Sequence, residues 1–583
     1  MSNFTSDHPG HDSQRVGTAR FLGQEVHRVH DPVWAVIGTL GESQCYLGVP
    51  EKVEAIQQAL ARRITDDDLP VRLVAPAFSL GVSDGQLNGT ARMRYSLVSR
   101  EVVHDTTEIH LRANDVCAAI AVVACDKPPV GTVAALLEHD VPAIVCSDGS
   151  VRPGTDPETC ERIDIVSAYQ ASGDADDERR SRLALNACPG FGSCGGMYTY
   201  NTMQTFFAAV GLEPLHMVSP ASEDPRRLEQ FPDELVRHLT TLVDRGIGPR
   251  RIVTPSALRN AITVALAMGG STNMVLHCVE IARAAGIDFW DEVLSQQDFN
   301  ELTRRTPVIT NLRPYGHHSM VDVDDVGGLP VVVRELLDAG FLDGDALTCT
   351  GETLAEQVAR LDPPPPDGEV VLTVAEPFKL TGGLRLLQGN LAPHGGAVLK
   401  TAGIEQGIVD GVFDGVARVF DDEPSLLAAL DEQPDSFGDG AMIVLRYGGP
   451  RGAPGMPELL EPTSRVTTLC RERGITIGLL TDARFSGGSV GLVIGHVAPE
   501  ALLGGPIALV EDGDHITVDL NRNRLDCHEL DDAERLAART AGWDAAVAAN
   551  GGVHPAAGPL EARVLIRARA RAMPALQGGG LLD

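Results

Sequence analysis

The chain lacks any run of about 18–20 apolar residues, the length a membrane-crossing helix requires, so no transmembrane segment is read in it. It is also poor in basic residues: 48 Lys and Arg stand against 80 Asp and Glu, a formal net charge of −32. Nucleic acids and anionic membranes are recognised through clustered Lys and Arg, so neither is expected as a partner. An anionic substrate would need local positive charge or a metal ion to overcome that field. Residues 1–30 are polar and His-rich, with no apolar stretch of signal-peptide type. The eleven cysteines are scattered over 583 residues and do not form a disulfide-scaffold pattern. These absences point to a reducing, cytoplasmic setting in which some thiols are free to bind metal.

What is present is ordinary for a soluble globular protein: 43% hydrophobic and 22% charged residues. The length exceeds what one hydrophobic core serves, so two or more domains are expected. Residues 70–150 alternate short β-rich runs with helical patterns: VRLVAP, a helix near MRYSLVSREVV, AAIAVVAC, a helix over GTVAALLEHD, then PAIVCSD. That βαβ rhythm predicts an N-terminal α/β domain with a parallel sheet. Residues 172–182 read as a solvated charged loop, and 226–243 and 256–286 as helices. Four consecutive prolines in LDPPPPDGE, residues 361–369, fit neither a helix nor a central strand. They place a boundary that divides the chain into 1–366 and 367–583. Beyond it, short Val/Ile/Leu runs broken by glycine pairs suit a C-terminal β-barrel-like domain.

The stretch AVVACDKPPVGT, residues 121–132, ends an apolar run on Cys125, Asp126 and Lys127. In parallel α/β sheets, ligands sit at the carboxyl ends of strands. Thiolate selects iron–sulfur or zinc, and carboxylate selects magnesium or manganese, so their adjacency suggests a junction of two metal environments. The plainer alternative is a buried cysteine capped by a surface Asp–Lys pair. A second stretch, NACPGFGSCGGMYTYNTM at 186–203, carries Cys188 and Cys194 in a glycine-rich loop. Its G-x-G-x-x-G is a poor dinucleotide fingerprint, because SRLALNACP does not read as a strand. Backbone N–H groups closing around the sulfurs of a cluster fit it better.

CDKPPVG and GSCGGMYTYNTM resemble the two signatures of the dihydroxy-acid and sugar-acid dehydratases, the IlvD/Edd family. SLVSREVV (96–103), ALAMGGSTNMVLH (265–277), GNLAP (389–393), KTAG (400–403), GGPRGAPGMPELLEPTS (448–464) and LLTDARFSGGSVGLVIGHVAPEA (479–501) resemble further parts of it. The resemblance implies an N-terminal α/β domain, a C-terminal β-barrel-like domain and a homodimer. It implies removal of water from a 2,3-dihydroxy or sugar acid to give a 2-oxo acid, with an iron–sulfur cluster as Lewis acid beside Mg²⁺.

Carried over residue by residue, the cluster ligands would be Cys45, Cys125 and Cys194, with [2Fe-2S] ranked ahead of [4Fe-4S]. The Mg²⁺ ligands would be Asp84, Asp126 and Lys127, the lysine carbamylated so that it offers oxygen in place of an ammonium. Ser486 in ARFSGG would be the catalytic base, its alkoxide stabilised by the metals, since a lone hydroxyl is too weak. The other reading of Ser486 is a turn hydroxyl that binds the substrate carboxylate. Cys188 belongs to the motif but not to the cluster, and the remaining seven cysteines match no ligand position. Two departures fall near the expected magnesium ligands. The family's Y-E-G-P reads Tyr447–Gly448–Gly449–Pro450, so its Glu is replaced by Gly448. In DGQLNGTARM (84–93), Thr90 replaces a His and Arg92 a glycine. Arg92 is a candidate for an anionic group of the substrate, and His394 and Asp322 are further pocket candidates. Three readings follow: a dehydratase with a divergent substrate, the standard dihydroxy-acid dehydratase of branched-chain amino-acid synthesis, and a catalytically silent cluster-binding paralogue. The missing Glu counts against the second, and retention of Ser486, Asp126 and Lys127 counts against the third.

Overall fold

A computed structural model describes residues 6–172, 176–393, 396–401 and 408–582. The first sheet holds β1 (Val33–Leu40), β2 (Arg72–Leu73), β3 (Ala77–Leu80), β4 (Val116–Val123) and β5 (Ala143–Ser147). Its order is β2-β1-β4-β5, with β3 also on β1, and every pairing is parallel. β1, β4 and β5 are buried almost throughout, which is why each reads as an unbroken apolar run and not as alternation. Helices cover the sheet. Val49–Asp66 presents Val49, Val53, Ile56, Leu60 and Ile64 as one apolar stripe. Pro128–His139 opens on two prolines, which are tolerated in a first turn, and ends at Asp140 in a left-handed conformation.

Because the strands are parallel, their carboxyl ends share one edge. The chain leaves that edge four times: toward Cys45, toward Ser83–Asp84, toward Cys125–Lys127 and toward Gly149–Val151. A small antiparallel pair, β6 (Gly154–Thr155) with β7 (Arg162–Ile163), follows.

The second sheet has eight strands: β8 (Leu384–Leu387), β9 (Ala397–Lys400), β10 (Val412–Phe420), β11 (Ala441–Leu445), β12 (Ile477–Thr481), β13 (Leu492–Gly495), β14 (His515–Asp519) and β15 (Arg524–Cys527). They run in the order β15-β14-β10-β11-β12-β13-β9-β8. β10 to β13 are parallel and the outer pairs antiparallel. A bridge between Gln388 and Arg524 brings the two ends together, so the sheet is a nearly closed barrel around Leu399, Phe413, Met442, Leu480, Ile494 and Val518. The expected α/β domain and barrel-like domain are therefore both present. Leu384, Leu386 and Val398 of the second sheet also join the first core.

Three local expectations are corrected. Within 172–182, the described part is not a loop: Asp177–Asn186 is a helix, capped by the Asp176 carboxylate accepting from the backbone N–H of Glu178 and Arg179. It buries only Leu183, so its composition hides it. Residues 226–243 are two helices, Arg226–Glu229 and Phe231–Asp244, the second restarting with Pro232 in its first turn. Residues 256–286 are also two, Pro255–Ala267 and Asn273–Ala285. Gly269 at φ +79° and the Gly270 N–H bonded to the Ala265 carbonyl end the first of these. His394 lies outside the described residues. No described helix is long and apolar enough to cross a membrane.

Candidate active site

Cys125 follows β4 with φ +64°, a conformation rarely held by a non-glycine residue, and its N–H donates to Ser193 Oγ at 2.8 Å. Ser193 precedes Cys194. Their loop is bonded to the β5 edge through Ser193 N to the Gly149 carbonyl and Val151 N to the Ser193 carbonyl. Gly192 has φ +120°, and a Cβ there would lie 2.6 Å from Ser222 Cβ, so only glycine fits. Asn201 Nδ2 donates to the Cys194 carbonyl at 2.8 Å and fixes the loop to the following helix. The preceding element is a helix and not a strand, which agrees with setting the dinucleotide reading aside.

Cys45 opens from β1 in a short turn, with its thiol 3.8 Å from Ser83 Oγ. A hydrogen bond with Cys45, then burial and nearby Asp126 and Asp84, push the Cys125 thiol far above its ordinary range. Burial raises Cys194 likewise, with Asp126, Cys125 and Cys188 adding to it. Cys45, Ser83, Gln86, Cys188, Cys194 and Arg313 line one cavity of about 420 Å³. All eleven cysteines are free thiols. The structure thus brings Cys45, Cys125 and Cys194 to one place.

Beside them, ligand oxygens of Asp84, Asp126 and Glu458 lie within 4.8 Å of one another. Lys127 Nζ stands 2.7 Å from Asp84 and 3.2 Å from Glu458, and all three side chains are at most 1% exposed. Arg484 donates to Glu458, to Asp84 at 3.4 Å and to Ser96 Oγ at 2.6 Å. Asn273 Nδ2 donates to Glu458 Oε1 at 2.7 Å. Burial alone would raise the Asp84 carboxyl, but Lys127 and Arg484 hold it at about 2. Burial lifts Asp126 to about 7, only partly opposed by Lys127, with Asp84 and Glu458 as like charges. The crowding of two buried carboxylates and the half-buried Asp126 is offset here by an ammonium and a guanidinium.

Glu458 brings a third carboxylate to this group, although Gly448 stands where the family motif is read to carry its Glu. Gly448 donates its N–H to Asp482 Oδ1 at 2.8 Å, and a Cβ on it would lie 2.6 Å from Ala483 Cβ. Ala483 therefore occupies the space a side chain at 448 would enter, while the carboxylate arrives from a loop ten residues on. That loop reaches the first domain because Gly455, at φ +95°, packs where a Cβ would strike the Arg94 carbonyl at 1.6 Å. Glu458, Asn273 and Arg484 were missed although all three lie inside quoted motifs; each is one polar residue in a glycine-rich or turn segment, and nothing local says what it meets.

Ser486 is half-buried on the turn after β12, and the Gly488 N–H points to its Oγ at 3.4 Å. Asn273 Nδ2, 3.3 Å from the Phe485 carbonyl, and Arg484 tie this turn to Glu458. Arg92 is not brought to the site: it is exposed on the short 3₁₀ segment Ala91–Tyr95, and its neighbour Arg94 lines a separate cavity of about 250 Å³ with Thr90, Tyr447 and Gly448. Asp322 pairs with Arg162 at 2.9 Å and caps a helix at Ser319. A second mixed group, Asp514, Cys527 and Glu529, lies elsewhere, with Asp514 held by both Arg539 nitrogens at 2.6 and 2.9 Å.

The parallel α/β sheet and the nearly closed barrel meet where Lys127 and Asp84 of the first contact Glu458 and Arg484 of the second, beside the three thiols. Residues 49–357 match the family model for the dihydroxy-acid/6-phosphogluconate dehydratase N-terminal domain, and residues 369–572 match that for the C-terminal domain. A dihydroxy-acid dehydratase of Burkholderia thailandensis is 41% identical over 505 residues, 86% of each chain. One of Renibacterium salmoninarum is 42% identical over 478 residues, 80% of each chain. The chain belongs to the dihydroxy-acid/6-phosphogluconate dehydratase family, and it is a hydro-lyase.

Proposed function

We propose that the chain removes water from a 2,3-dihydroxy acid to give a 2-oxo acid, the standard dihydroxy-acid dehydratase reaction, at the thiols and carboxylates gathered where sheet and barrel meet. The observation that carries this reading is the adjacency of three converging thiols and the carboxylates of Asp84, Asp126 and Glu458, of which Asp84 and Glu458 already attract Lys127 and Arg484. With Glu458 in that group, the argument for a divergent substrate loses its main support, and the relatives' names favour the standard substrate over a silent paralogue.

The donor set fits the expected metals. Cys45, Cys125 and Cys194 would hold an iron–sulfur cluster, [2Fe-2S] ahead of [4Fe-4S]; Asp84, Asp126, Glu458 and a carbamylated Lys127 would hold Mg²⁺. The Lys127 ammonium now stands among the carboxylates as a stand-in cation. Carbamylation would replace it with a fourth anionic group facing one guanidinium, a field suited to a divalent cation. Such metals supply Lewis acidity toward the departing hydroxyl and toward the charge that develops on the carboxylate side of the substrate.

The chain's own residues orient and deprotonate. Ser486 Oγ takes the C2 proton, Arg484 and Asn273 keep Glu458 in place, and burial excludes water. The C3 hydroxyl leaves, takes up the proton held on Ser486 and departs as water, and the resulting enol tautomerises to the 2-oxo acid. The division at 366/367, a homodimer and a cytoplasmic setting belong to the same reading, and the net charge of −32 leaves nucleic acid and membrane aside as partners. The test is an anaerobic 2-oxo-acid assay across a panel of 2,3-dihydroxy and sugar acids. Turnover on a branched 2,3-dihydroxy acid is expected, and cluster absorbance with no turnover on any acid would overturn the reading.

A further inference from the structure

Lys400 is a buried cation that none of the chemistry above uses. It ends β9 and is 1% exposed. Its backbone is held on both sides, in register with Leu384 of β8 and Val493 of β13. Its Nζ donates to the Gly487 carbonyl at 2.6 Å and lies 4.9 Å from the centre of the Tyr315 ring. Among the described residues it has no carboxylate partner. Burying an ammonium without one is costly, and burial brings this amine down to about 7. Such a group weakens the fold, so its place calls for another explanation.

The geometry supplies one. Gly487 follows Ser486 directly. A Cβ on Gly487 would lie 2.5 Å from Tyr198 Cα, so the turn is pressed against the helix-start backbone on one side. Lys400 grips the carbonyl on the other. The turn is clamped between a rigid backbone and a side chain rooted in two strands. We propose that Lys400 is a positioning residue for the dehydration: anchored to the Gly487 carbonyl, it fixes the Ser486 turn and places positive charge behind Ser486, where it favours the alkoxide. This rests on the assignment of Ser486 as the base. The Tyr315 ring faces both this ammonium and that of Lys379, each Nζ 4.9 Å from its centre.

Lys400→Met keeps the length of the side chain and removes the charge, and Lys400→Arg restores a cationic donor. The metal-free Met variant should melt no lower than wild type, because it discards an unpaired buried charge. In the loaded protein kcat should fall about 100-fold or more, with KM changed by less than about threefold, as for loss of one preorganised donor. The Arg variant should recover at least about tenfold of that loss. A Met variant that keeps its kcat, or one that melts well below wild type while kcat and KM move together, overturns the inference and makes Lys400 a strut. Wild type silent on every acid overturns the proposed function and this inference with it, whereas active wild type with an equally active Met variant overturns this inference alone.

Discussion

Glu458 Oε1 lies 3.2 Å from Lys127 Nζ although 331 residues separate them in the chain. The site therefore exists only where the α/β sheet and the barrel meet, and neither half assembles it alone. Glu458→Gln should weaken Mn²⁺ binding to the metal-free protein by at least about tenfold, read by titration calorimetry, because one anionic donor of the group is lost. Gly448→Ala should leave that affinity unchanged and instead cost about 1–3 kcal/mol of stability, since its Cβ would meet Ala483 Cβ at 2.6 Å. Equal affinity in the Gln variant would remove Glu458 from the site.

The thiols separate by position. Serine at Cys45, Cys125 or Cys194 should each abolish the visible absorption and iron content of anaerobically purified protein. Serine at Cys117 or Cys146, which sit within β4 and β5, should leave both intact. Iron retained after loss of any one of the first three would reassign that ligand.

These residues differ in how legible they were. Cys125, Asp126 and Lys127 stand at the end of an apolar run, and parallel-sheet topology says what such an end does. Cys194 is marked by glycines that a close backbone approach requires. Glu458 could not be read, because its role depends on which loop of the barrel reaches the sheet, a contact 331 residues apart in sequence. Arg92 looked suited to an anion by charge alone, yet the backbone of Ala91–Tyr95 turns it to solvent while Arg94 faces inward. The helix over Asp177–Asn186 was hidden for a similar reason: it buries only Leu183, so no apolar period announces it.

Ser486→Ala should reduce kcat by about 10²–10⁴-fold, the usual range for loss of a positioned base, while the absorption spectrum and the Mn²⁺ affinity stay those of wild type. A loss of less than tenfold would favour the reading of Ser486 as a turn hydroxyl that only binds the substrate.

Glu213 provides a pH test independent of metal. Its carboxyl is fully buried, accepts from Ser147 N and Oγ at 2.8 and 2.7 Å, and burial raises it from 4.5 to about 7. The folded state thus holds this proton more tightly than the unfolded chain. Its contribution is fully present below about pH 4.5 and is lost as pH rises through about 7, a change of about 3 kcal/mol. Glu213→Gln should remove that slope. By urea denaturation at pH 8, the variant should exceed wild type by up to about 3 kcal/mol, and the gap should shrink to under about 1 kcal/mol by pH 5. A gap independent of pH would show that Glu213 is already ionised in the fold.

Anomalous diffraction at the iron edge, on crystals grown anaerobically, tests the central claim most directly. Iron density bonded to the sulfurs of Cys45, Cys125 and Cys194, beside Asp126, is the predicted result. Iron absent from that pocket in fully active crystals, or bound at other cysteines, would contradict it.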